Sequence, residues 1–108
     1  MNEFDVRFAF HMDTGNMPLW SYNYWRHKTL RNGHPTSEYG QWLEERAGNY
    51  RYLRRAFQFE NENHISATYK SIYAHETLEV FTKQYVFWLE ERILSRHSGL
   101  IKDILHLP

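Results

Sequence analysis

Between Tyr22 and Arg31 the chain interleaves Tyr22, Tyr24 and Trp25 with Arg26, His27, Lys28 and Arg31. Flat rings beside cations are what a single strand or an extruded base requires, because rings stack on bases and cations pair with phosphates. Arg51, Arg54 and Arg55 add a second basic cluster within about one helical turn. From Arg26 to Arg55, the cations Arg26, Lys28, Arg31, Arg46, Arg51, Arg54 and Arg55 stand against Glu38, Glu44 and Glu45, whereas the flanking stretches are mildly acidic. The overall balance of 13 Lys and Arg against 13 Asp and Glu therefore hides a basic middle. Such a local field binds phosphates whatever the total charge. Tyr, Trp and Arg also dominate the hot spots of protein interfaces, so the same residues suit a protein partner. The candidate contact residues are thus Tyr24, Trp25, Arg26, Lys28, Arg31, Arg51, Arg54 and Arg55, with nucleic acid or a host protein as the ligand.

Other groups point to less. On a helix His75 and Glu79 would lie one turn apart, but two ligands fall short of a metal site, so no metal and no cofactor is expected. Glu44 with Glu45, and Glu90 with Glu91, read as solvated charges. There is no Gly-rich phosphate loop, no nucleophile elbow and no His-Glu-x-x-His pair. The absence of Cys excludes a disulfide framework, a thiolate zinc site and a Cys nucleophile.

A longer string carries a family likeness. His34 and Pro35, then Trp42, Asn49, Tyr50 and Leu53, then Thr68, Tyr69, Lys70, His75, Glu79 and Val80 resemble the C-terminal half of a small family found mainly in phages and commonly labelled pyrimidine dimer DNA glycosylase. The likeness covers about residues 33 to 80. It implies base excision, in which a damaged pyrimidine is flipped out, an amine attacks the sugar carbon to form a Schiff base, and a carboxylate assists. Family members also carry an N-terminal helix with Asp-x-His and a following Lys-Met, a pattern that Met1 to Asn32 lacks. The resemblance therefore names no nucleophile and no acid, and whether the chain is an enzyme stays open. It implies a scaffold with His34, Trp42, Asn49, Tyr50, Tyr69 and His75 as motif residues, and a face for nucleic acid. The expectation from a different class is a non-catalytic phage protein that inhibits a host defence system or enzyme by direct binding.

These side chains need elements to hold them. With 108 residues, 42% hydrophobic and 24% charged, one domain spanning residues 1 to 108 is expected. No apolar run approaches a membrane span, and Met1 to Phe10 has no signal-peptide character, so a cytoplasmic protein without a membrane partner is expected. Phe4, Val6, Phe8 and Phe10 alternate with Asp5, Arg7 and Ala9, which predicts a short N-terminal strand or extended segment. Thr36 or Ser37 can cap a helix, after which Tyr39, Trp42, Leu43, Arg46, Tyr50, Leu53 and Phe57 recur at helical spacing to about Phe59. Gly40 and Gly48 mark close contacts or a break in it. From Ile65 to Ile93 the spacing predicts one long helix, or two meeting near His75, and Leu100 to Leu105 a short amphipathic finish. The fold expected is mainly α, a small helical domain whose core joins two aromatic stripes packed antiparallel, with Trp42 and Trp88 inside. Tyr39, Trp42 and Leu43 to Arg46 match Tyr85, Trp88 and Leu89 to Arg92 at identical spacing. Eight positions are few for a duplicated unit, so the echo reads as convergence on a good amphipathic helix.

Overall fold

The computed structural model describes residues 1–19, 35–61, 65–73 and 76–107. Its N-terminus is a helix, α1 (Glu3–Thr14), and not the extended segment that the alternation predicts. The Asn2 side chain accepts from the Asp5 backbone N–H while the Asp5 carboxylate accepts from the Asn2 N–H, a closed capping box, and Gly15 ends the helix in the left-handed region at φ 75°. Val6, Ala9 and Phe10 then fall on one buried face, at helical and not alternate spacing.

Thr36 caps α2 (Ser37–Ala47) by accepting from the Tyr39 N–H. The expected continuous stripe breaks at Gly48, whose φ of 142° no L side chain adopts readily, and Asn49 caps a new helix, α3 (Tyr50–Glu60). The helix expected from Ile65 onward is instead an antiparallel hairpin of β1 (Thr68–Tyr73) and β2 (Glu76–Phe81), in register Thr68 with Phe81 and Tyr73 with Glu76. Thr68, Tyr69, Ile72, Tyr73, Thr77, Val80 and Phe81 are β-branched or aromatic, and that intrinsic preference wins over a fortuitous four-residue spacing of apolar groups. Helices α4 (Lys83–Arg96) and α5 (Ser98–Leu105) follow, and the fold is mainly helical with a small two-stranded antiparallel sheet.

The core lies between α2 and α4. Tyr39, near the start of α2, reaches Glu90 in the second half of α4, and Tyr85, near the start of α4, reaches Glu44 in the second half of α2. The two helices therefore run antiparallel, as expected. Leu43, Leu89, Val86 and Ile93 are fully buried, Trp42 is 4% exposed, and Trp88 packs against the core partly buried. At Gly40 an added Cβ would fall inside van der Waals contact of the Phe81 ring, so this glycine is the groove into which β2 settles.

The echo between α2 and α4 extends much further than eight positions, which corrects the reading of it as convergence. Asn2 caps α1 as Asn49 caps α3. The run Val6, Arg7, Ala9, Phe10 of α1 recurs as Leu53, Arg54, Ala56, Phe57 of α3. Phe10 packs on Tyr39 and Trp42 at centroid distances of 5.0 and 5.5 Å, and Phe57 on Tyr85 and Trp88 at 5.1 and 5.8 Å. Trp42 Nε1 donates to Asp13 and Trp88 Nε1 to Glu60, each at 2.7 Å. The Thr36 N–H donates to the Pro18 carbonyl as the Thr82 N–H does to that of Ala67, and the antiparallel bridge Leu19 with Pro35 stands where Thr68 pairs with Phe81. Between those bridges the sequence reads His-Lys-Thr-Leu at His27 to Leu30 and His-Glu-Thr-Leu at His75 to Leu78. Among the described residues one arrangement is used twice, α1 with α2 and α3 with α4, about a pseudo-twofold axis between α2 and α4, with α5 outside the repeat.

Candidate functional site

Two buried ionic clusters lie across that axis. Arg7 donates through Nε and Nη2 to the two Glu90 oxygens at 2.8 and 3.0 Å, and Tyr39 Oη donates to Glu90 Oε2 at 2.5 Å. Arg54 donates through the same two atoms to Glu44 at 2.8 and 3.0 Å, and Tyr85 Oη donates to Glu44 Oε2 at 2.6 Å. Glu44 and Glu90 are thus not the solvated charges their sequence context predicts: they are 5% and 1% exposed. Burial pushes the Tyr39 and Tyr85 hydroxyls well above the ordinary phenol range, and the carboxylates that they face push in the same direction. Burial likewise pushes the Glu90 carboxyl up, against the pull of Arg7.

The clusters differ in how they are closed. α5 packs across α1 and α4, the helices that carry Arg7 and Glu90, and that pair is sealed. The Arg54 side chain keeps 23% of its surface and takes a second carboxylate, Glu79 of β2, at 2.9 Å. Beside it, Glu44, Glu45, Asn49 and Tyr50 edge a polar depression of about 600 Å³. Arg54 consequently leaves the expected basic cluster: its donors are spent on two carboxylates and are not offered to a phosphate. Tyr50, expected in the apolar stripe, is 46% exposed with the Arg54 guanidinium 5.0 Å above its ring.

Arg51 and Arg55 are exposed, as expected, and neither makes an ion pair among the described residues. Arg51 Nε donates to Tyr50 Oη at 3.2 Å. The outer side of α3 also carries Tyr52 and Phe59, which the sequence reading did not single out. They are 62% and 94% exposed, and with Arg55, Ala56 and Glu60 they line a depression of about 430 Å³. Their spacing from Ala56, four residues back and three on, was the available signal, because it marks a second apolar stripe opposite Leu53 and Phe57.

The remaining candidates separate. Tyr24, Trp25, Arg26, Lys28, Arg31 and His34 lie outside the described residues, as does His75. Trp42 is core, Asn49 is the α3 cap, and Tyr69 is half exposed on β1. Of the family-like motif, the structure brings Asn49 and Tyr50 to one depression with Arg54 and leaves Trp42 and Tyr69 elsewhere. Among the described residues no group of three His, Asp or Glu is placed to hold a metal ion. None of the helices described is long and apolar enough to cross a membrane. Comparison with family models, with curated proteins and with solved structures finds no match to this chain.

Proposed function

We propose that this chain is a protein-binding module whose contact face is the outer side of α3, and that it acts by occupying a partner's surface. The observation that carries this is Phe59, an aromatic side chain 94% exposed in the last turn of α3, on the same outer face as Tyr52 and two arginines without carboxylate partners among the described residues. The duplication supports it. Positions shared by both halves, such as the Asn cap, the arginine, the alanine and the phenylalanine, hold the fold. Where α3 has Arg51, Tyr52, Arg55 and Phe59, α1 has Phe4, Asp5, Phe8 and Met12, so the fold does not need the aromatic and basic set. A large exposed apolar group flanked by polar ones is the usual mark of a recognition surface.

Nucleic-acid contact, the reading implied by the likeness in residues 33 to 80, draws on the same Arg51 and Arg55 with Tyr52 as a stacking ring. A photo-cross-linking residue placed at Phe59, in cells expressing the full chain, separates the two. Protein adducts that disappear when Arg55→Glu is added support the module. Adducts to nucleic acid alone, with oligonucleotide affinity falling by roughly one log unit per log of salt for each phosphate contact, would replace it.

A further inference from the structure

Resting on that reading, we infer that the partner segment is an amphipathic α-helix with acidic residues along one flank. Tyr52 and Phe59 are seven residues apart, so on a helix rising 1.5 Å per residue they stand about 10.5 Å apart on one face. Ala56 between them is only half buried and has no side chain beyond Cβ, which makes the floor of a notch between two aromatic knobs. Aliphatic side chains at positions i, i+3 or i+4, and i+7 of a second helix form a ridge of the same length, and small residues at a crossing let helix axes approach closely. Arg51 and Arg55, four residues apart, stand about 6 Å apart along the neighbouring flank. They match carboxylates spaced by one turn on the incoming helix.

Charge also decides against a second copy of this chain laid antiparallel on the first. A twofold axis laying α3 antiparallel on its own copy sets like flank against like flank, so Arg51 and Arg55 would meet the same two arginines of the other copy. Four cations would gather at the rim of a partly desolvated contact, and Glu60, on the opposite flank, could not answer them. An acidic helix removes that repulsion and supplies partners to both arginines.

The test uses the intact chain and two labelled helical peptides of about 16 residues with the same leucine ridge, one with glutamates on the flank and one with lysines. Fluorescence anisotropy of the glutamate peptide should show saturable binding that weakens at least tenfold with Phe59→Asp and with the double change Arg51→Glu and Arg55→Glu. That double variant should instead prefer the lysine peptide. Helical content by circular dichroism should be unchanged in all variants, since these side chains support no core contact. Equal binding of both peptides, no binding of either, or binding indifferent to the Arg changes would overturn the acidic-helix inference. If cross-linking at position 59 still captured a protein through a segment of another kind, the docking face would stand and only the identity of its partner would fall.

Discussion

Arg7 and Arg54 make the same two bonds to the same residue type and still have different jobs. The first is sealed with its carboxylate, so replacing it strands Glu90 and the Tyr39 hydroxyl away from water. The second keeps contact with solvent, and its carboxylate Glu44 borders an open depression through which water can reach it. Removing one partner of a buried pair costs about 3 to 5 kcal/mol, whereas water rescues a partly exposed one. Arg7→Met is therefore expected to lower stability by about that amount in urea unfolding, and Arg54→Met by clearly less. Equal losses would mean that the second cluster is as dry as the first. None of this was legible in the sequence. Glu-Glu-Arg on a helix is an ordinary surface pattern, and only the tertiary arrangement shows that the first glutamate of each pair turns inward to an arginine on another helix, Glu90 to Arg7 and Glu44 to Arg54.

Elements were legible where a local signal and the tertiary requirement agreed. Thr36 as a cap, the break at Gly48 and Asn49, and the apolar face of α2 are all written in neighbouring residues. α1 and the hairpin were misread for one reason. Short apolar runs fit periods of two and of nearly four at once, and the deciding terms, the Asn2 to Asp5 capping box and the β preference of Thr, Tyr and Val, are small beside the pattern itself. Gly40 shows how an element can give up intrinsic preference for fit. Alanine is the better helix former by about 1 kcal/mol, yet its Cβ would collide with the buried Phe81 ring. Overpacking of this kind costs about 1 to 3 kcal/mol, so Gly40→Ala is expected to lower the thermal midpoint. A raised midpoint would show that β2 shifts freely.

At the scale of the molecule, both seam tyrosines donate to a carboxylate of the opposite half. Their hydroxyls hold protons above the usual phenol range, so from about pH 10 upward the folded chain binds more protons than the unfolded one. Stability must then fall as the pH rises. It is fully present below about pH 10 and is lost as the folded-state values are approached. Urea midpoints measured from pH 8 to 11 should drop at the alkaline end, and less steeply in Tyr39→Phe combined with Tyr85→Phe. A midpoint insensitive to pH across that range would show that the hydroxyls are not held by Glu90 and Glu44.

Each half keeps its own tryptophan bonds but sends its arginine to the other half's glutamate, and receives the favour in return. The peptide link at Gly48 therefore ties together two pieces that already grip one another. In such a molecule the order in which the polypeptide visits its parts is an inheritance and not a mechanical necessity. The chain could begin at Asn49, run through α5, and rejoin at Met1 with every one of these reciprocal bonds intact, provided that the new joint is long enough to bridge the old ends. Its two halves grip each other as the protomers of a dimer do.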